Sequence, residues 1–180
     1  SDTNIYLTGD AGTGKSTLLK EFISKTKKIV AVLAPTGMAA VNIGGETIHS
    51  FCKFSTEPPF KILQEGKVRK LRNSKPVTAL DTIIIDEISM VRADLLDCMD
   101  IFFKKNRKND RPFGGIQLIF IGDHFQLPPV LKREEKSEFC KRYESEYFFS
   151  AKVFPELKMK FTKLTKTYRQ TDKEFIKLLN

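Results

Sequence analysis

Short apolar runs alternate along this chain with stretches whose apolar residues recur at helical spacing. Residues 4–8 read as a short strand and residues 29–34 as a buried one. Residues 83–85 and 116–121 read as two more, and residues 161–164 as a fifth. Between them, residues 14–25 read as a helix opened by glycines. Residues 93–105 place Leu95, Leu96, Met99, Phe102 and Phe103 on one helical face, and Asp172 caps a last helix. Strand–helix alternation of this kind predicts an α/β fold: a mostly parallel central sheet flanked by helices on both faces. Ligands of such sheets sit at the carboxyl ends of the strands. Two stretches are less regular. Residues 54–79 hold Pro58-Pro59 and the basic run KVRKLR from Lys67 to Arg72; residues 132–147 are dense in charges of both signs. Each reads as a solvated loop or surface helix.

At 180 residues the chain fits one domain able to bury a real core. No apolar run approaches the roughly 18 residues a membrane span needs. The opening SDTNIYLTGD has neither the basic nor the apolar part of an export signal, so an intracellular protein without a membrane partner is expected. A first strand reached at once, and an end inside a helical pattern, are expected of a piece of a longer protein. Cys52, Cys98 and Cys140 are isolated and form no C-x-x-C; the only histidines are His49 and His124. That argues against a structural zinc site or a disulfide framework and fits a reducing interior. The net charge of +9 suits either solubility or a polyanionic partner.

The chemistry narrows this choice. GDAGTGKST matches G-x-x-x-x-G-K-[ST], with a strand before it and a helix after it. Gly9, Asp10, Ala11, Gly12, Thr13, Gly14, Lys15, Ser16 and Thr17 would wrap the phosphates of a nucleotide. Glycines let backbone N–H groups converge on an anion, and the following helix adds its positive end. Lys15 supplies a point charge at the β- and γ-phosphates, and Ser16 a hydroxyl oxygen for Mg²⁺. In DTIIIDEISM, Asp86 and Glu87 follow a buried strand, where carboxylates are costly without a cation. Asp86 is expected to hold Mg²⁺ through water, and Glu87 to orient or deprotonate the attacking water; the plainer reading of Glu87 is a cap on the next helix. A vicinal Asp-Glu favours hydrolysis, and no guanine-reading Asn-Lys-x-Asp is present, so ATP is the expected nucleotide.

With these motifs placed, further segments resemble those of superfamily 1 DNA helicases. APTGMAAVNIGGETIHSF (residues 34–51) looks like their Ia segment, and its GGETIHSF tail is similar to that of the Pif family of 5′→3′ helicases. RPFGGIQLIFIGDHFQLPPV (residues 111–130) resembles that family's signature running into motif III, and LTKTYRQ (residues 164–170) resembles motif IV. The resemblance implies a RecA-like P-loop domain, 1A, across residues 1–180, with residues 54–79 as a small inserted 1B pin or wedge. It implies a second RecA-like domain elsewhere in the parent protein, and adenine recognition upstream of the first strand. It implies that Gln126 senses the γ-phosphate and that Arg169 contacts it. Thr36, His49, Ser50 and Phe51 fall where the family meets single-stranded DNA, a hydroxyl for phosphate and an aromatic for stacking suiting sequence-independent binding. Single-stranded DNA and duplex or G-quadruplex substrates, ATP and Mg²⁺, and a monomeric state are the implied partners. In IGDHFQLPPV, Gly122 is expected to turn the backbone, Asp123 to face the acidic pair, and Pro128 and Pro129 to stiffen the exit. His124 departs from the family's apolar residue and is left unassigned. A RecD- or TraA-like helicase, another P-loop ATPase such as a DNA-repair switch, and a non-catalytic nucleotide-dependent module remain as alternatives.

Overall fold

The computed structural model describes residues 3–10, 12–123 and 126–165. Six strands form one sheet: β1 (Ile5–Gly9), β2 (Val30–Ala34), β3 (Glu46–Thr47), β4 (Thr82–Ile85), β5 (Gln117–Ile121) and β6 (Lys160–Leu164). Their order is β3-β2-β4-β5-β1-β6, and every pairing is parallel. β5 lies between β4 and β1, with Ile85 opposite Phe120 and Leu7 opposite Ile121. The chains leaving β4 and β1 are thus separated by the chain leaving β5. All four residues of β4 are buried, as a central strand covered on both faces requires. The five expected strands form, and the two-residue β3 adds a sixth. The helix expected from Asp172 lies outside the described residues, as do Ala11, His124 and Arg169.

Seven helices are described: α1 (Lys15–Lys25), α2 (Gly37–Ile43), α3 (Ile48–Cys52), α4 (Pro59–Gln64), α5 (Lys75–Thr78), α6 (Ala93–Arg107) and α7 (Lys136–Cys140). On one face of the sheet, Leu19 of α1 and Ala40 and Ile43 of α2 bury Leu7, Ala34, Ile84 and Ile121. On the other, α6 packs Leu95, Leu96, Met99, Phe102 and Phe103 against Leu33, Ile83, Ile85, Leu118 and Phe120. These five α6 residues are the face read from the sequence.

α6 is buried well beyond that face, because Asp94, Asp97, Asp100 and Asn106 are buried too. Each holds a neighbouring segment by its backbone. Asp94 accepts from Phe60 N at 3.0 Å, Asp100 from Phe113 N at 2.7 Å, and Asn106 from Leu71 N at 2.8 Å. Asp97 accepts from the Tyr143 hydroxyl at 2.9 Å and from the Lys152 and Val153 amides, both at 3.1 Å. Irregular backbone can be buried only if its polar groups find such partners.

This corrects the reading of residues 54–79 and 132–147 as solvated. The first segment sends Phe60, Ile62, Val68 and Val77 into the main core, through α4, α5 and connecting turns, with no strand among its residues. The second sends in Phe139 and Tyr143, and its Glu135 is buried against Arg92, which also pairs with Asp94. Sparse apolar residues suffice because α6 satisfies the chain between them.

Candidate nucleotide and nucleic-acid site

The phosphate loop joins the carboxyl end of β1 to α1. Gly12 and Gly14 have φ of 80° and 88°, a left-handed conformation that side-chain-bearing residues adopt only at a cost. At Gly9 a Cβ would lie 2.7 Å from the Leu164 carbonyl oxygen and 2.8 Å from Thr13 Oγ1. Thr13 is buried and its hydroxyl donates to the Asp10 carbonyl at 2.9 Å, closing the loop from within. Lys15 Nζ donates to the Gly9 carbonyl and, at 3.0 Å, to that of Asp10. Its charge is thus held inside the curve of the loop. Ser16 and Thr17 are exposed in the first turn of α1, which carries no side-chain cap. Its first N–H groups face out at the positive end of the helix.

Asp86 and Glu87 leave β4 one strand beyond β5. Burial pushes the Asp86 carboxyl above its ordinary value, against the opposing effects of the Glu87 amide, which donates to Asp86 Oδ1 at 3.0 Å, and of Lys15. Burial also raises Glu87, with the Asp86 and Asp123 charges adding to it. Glu87 sits at φ 51°, ψ 44°, left-handed for a residue that is not glycine. It precedes the 3₁₀ turn Ile88–Met90 but makes no side-chain cap, so the plain capping reading fails. A strained backbone held by buried neighbours is a feature of functional sites. No periodicity or composition could have signalled it.

The chain leaving β5 completes the cluster. Gly122 does not adopt a positive φ, so leaving the strand there does not itself require glycine. What requires glycine is close approach: a Cβ there would lie 2.9 Å from Ile88 Cγ2 and 3.0 Å from Ile88 N. Asp123 is buried and its charge acts on Glu87, as expected. Gln126 is exposed, its amide Nε2 donating to Asp123 Oδ2 at 3.4 Å and its backbone N–H to the Asp123 carbonyl at 3.0 Å. A cation nearby would relieve the repulsion among these carboxylates; among the described residues no three acids, histidines or cysteines are grouped to hold one by themselves, so a hard ion here would need further oxygen donors such as the Ser16 hydroxyl.

The residues expected at DNA follow β2 and β3 at the same carboxyl edge. Thr36 caps α2, its hydroxyl accepting from Ala39 N at 3.2 Å; Thr47 caps α3 in the same way through Ser50 N. On α3, Ser50 is exposed and bonds Glu46. His49 is half-buried, its ring edge-on to Phe54. Burial and the Arg92 charge lower its pKa. Phe51 packs against Phe103 of α6, with ring centroids 6.1 Å apart, so part of its surface is already committed to the core. Along the edge the sequence is β3 and β2, then the acid pair, then Asp123 and Gln126, then the phosphate loop. Thr36, after β2, and the phosphate loop, after β1, lie three strand spacings apart, about 14 Å.

A parallel sheet with the phosphate loop and the acid pair flanking one intervening strand defines a RecA-like P-loop NTPase domain. The chain belongs to the PIF1-like helicase family, whose model matches residues 1–180. It is 44% identical over 188 residues to the ATP-dependent DNA helicase PIF1 of Saccharomyces cerevisiae (strain YJM789), covering 98% of this chain and 21% of that protein. It is 39% identical over 182 residues to the Homo sapiens ATP-dependent DNA helicase PIF1, covering 98% of this chain and 26% of that protein. The structure superposes on Pif1 helicase from Bacteroides in complex with ADP-AlF3 and single-stranded DNA with a TM-score of 0.88 at 40% identity, covering 98% of this chain and 42% of the other. The chain therefore spans only about a quarter of the length of the curated relatives it matches.

Proposed function

We propose that this chain is RecA-like domain 1A of an ATP- and Mg²⁺-dependent 5′→3′ DNA helicase, which translocates on single-stranded DNA and unwinds duplex. The observation that carries this is the single row at the carboxyl edge: phosphate loop, Asp123 and Gln126, acid pair, then Thr36 and the α3 residues. Relatives named as ATP-dependent DNA helicases, and a neighbour complexed with ADP-AlF3 and single-stranded DNA, support it.

Residues 9–17 would hold the phosphates, with Lys15 at the β- and γ-phosphates, and Ser16 and Asp86 would hold Mg²⁺. When bound, Mg²⁺ supplies the positive charge that offsets the negative charge of the reacting phosphates. Glu87 orients the attacking water and accepts its proton; the raised pKa brings its carboxyl closer to neutrality, as a general base requires. Gln126, tethered to Asp123, is placed to change partners as the γ-phosphate charge changes. Arg169 is its proposed companion. Gly122 couples that segment to Glu87, because displacement of one backbone presses on the other. Thr36, His49, Ser50 and Phe51 would meet the DNA backbone and bases, and a second RecA-like domain in the parent protein would close the nucleotide site. Residues 54–79, fixed to α6, would serve as the strand-separating wedge. The parent would be an intracellular enzyme acting as a monomer.

The test is DNA-stimulated ATP hydrolysis by the full-length protein. Glu87→Gln is expected to lower it by about a hundredfold or more, with nucleotide binding retained. Hydrolysis indifferent to DNA would favour a P-loop ATPase uncoupled from unwinding.

A further inference from the structure

α6 begins at the carboxyl edge of the sheet and runs back for 15 residues, about 22 Å, toward the amino ends of the strands. Its last turns therefore lie at the end of the molecule opposite the acid pair. There Ile101, Lys104, Lys105 and Lys108 recur at helical spacing, on the face turned away from the sheet. With the turn after α4 they line a cleft of about 430 Å³. Leu63 and Ile101 give it an apolar lining over the buried Val68, and Ile101 is left 41% exposed, whereas the adjoining Phe102 and Phe103 are fully buried.

The three lysines rim that lining, and Asp110 is the one acid among the described residues that line it. Lys105 Nζ donates to the Val68 carbonyl at 2.8 Å, an uncharged partner, and Lys104 is shared with Asp100 at 2.7 Å. The Lys108 ammonium makes no hydrogen bond or ion pair among the described residues, its backbone N–H alone bonding the Lys104 carbonyl. Cations at a helix C-terminus are favoured by the helix dipole, which accounts for the lysines alone. It does not account for an isoleucine left open in a concavity between them. A duplex would need the charges but not the apolar lining. A peptide with acidic residues around an apolar anchor needs both.

We propose that this cleft docks an acidic peptide segment of a partner protein, with one apolar side chain seated against Leu63 and Ile101. The proposal stands apart from the helicase reading, since the cleft lies far from the nucleotide edge. The probe is a short fluorescein-labelled peptide of aspartates and glutamates around a central phenylalanine–leucine pair, followed by fluorescence anisotropy with the chain. Saturable binding is expected, weakening with salt. It should fall by about tenfold or more in Lys108→Glu and in Ile101→Glu, and several-fold in the milder Ile101→Ala. All variants should keep the melting temperature of the parent chain to within a few degrees. No saturable binding of the peptide would overturn the proposal. So would equal binding of a peptide with serines in place of the apolar pair, which would reduce the cleft to a charge effect. Displacement of the peptide by a duplex oligonucleotide whose own binding is lost in the same variants would assign the face to nucleic acid instead.

Discussion

At the scale of single residues, Glu87 and Gly122 depend on each other. Glu87 holds a left-handed backbone that costs about 1–2 kcal/mol, and the turn it opens is pressed by Gly122. Gly122→Ala inserts a methyl 2.9 Å from Ile88 Cγ2 and 3.0 Å from Ile88 N, where backbone must yield. It is expected to cost about 1–3 kcal/mol of stability and to slow DNA-stimulated hydrolysis by about tenfold or more. Gly37→Ala, where a Cβ meets nothing within 4 Å, is the matched control in melting and rate assays. His49 gives a prediction in pH. Burial, with the Arg92 charge, holds its imidazole below the ordinary 6.5 in the folded chain, so the unfolded chain binds the proton first as pH falls. The stability that neutral His49 preserves is whole above the ordinary value. It is lost as pH falls through that value toward the lowered one. His49→Gln should flatten this part of the acid limb when melting temperature is followed against pH. An unchanged limb would show that the proton uptake lies elsewhere.

At the scale of elements, α6 is a spine whose buried polar residues replace regular secondary structure in the segments around it. Asp97 serves three donors at once, on residues 143, 152 and 153. Asp97→Ala should destabilise the chain by about 2–4 kcal/mol, read from denaturant unfolding, while Tyr143→Phe, which removes one donor, should cost about 1–2 kcal/mol. Asp97→Asn keeps acceptor capacity and should fall between them. This architecture also explains what the sequence made legible. Strands β1, β2, β4 and β5, and the face of α6, announced themselves through apolar runs and helical spacing, and the phosphate loop and acid pair through motifs. The α2 and α3 helices and β3 are too short for periodicity to mark. Residues 54–79 looked solvated because Phe60, Ile62, Val68 and Val77 stand singly among charges. The sequence does not mark the aspartates of α6 as buried, because a buried tether and an exposed acid share one letter. The contact of Gly122 with Ile88 joins residues distant in sequence, so only the packed sheet reveals it.

At the scale of the whole molecule, the described residues proposed to meet nucleotide and single-stranded DNA lie along one open edge of one sheet. The phosphate loop and Lys15 occupy one side of it, with Gln126 exposed beside Asp123 and Ser50 exposed farther along. A site that must respond to a change of charge on a phosphate needs groups approaching from more than one direction. The groups described here converge from one sheet alone. The chain also accounts for only 42% of the Bacteroides helicase on which it superposes. The helicase reading therefore requires opposing groups from elsewhere in the parent protein, and it predicts a division of labour. On that reading the 180-residue chain should bind nucleotide and single-stranded DNA more weakly than the full-length protein, by about tenfold or more, because the opposing half of each site would come from elsewhere in the parent protein. It should hydrolyse ATP with little response to DNA and should not unwind a 5′-tailed duplex in a stopped-flow fluorescence assay. The full-length protein should do all three, and Lys15→Ala in it should abolish hydrolysis and unwinding together while leaving nucleotide-free DNA binding in place. Unwinding by the chain alone at the full-length rate would mean that one edge of one sheet suffices, and the requirement for an opposing domain would fall.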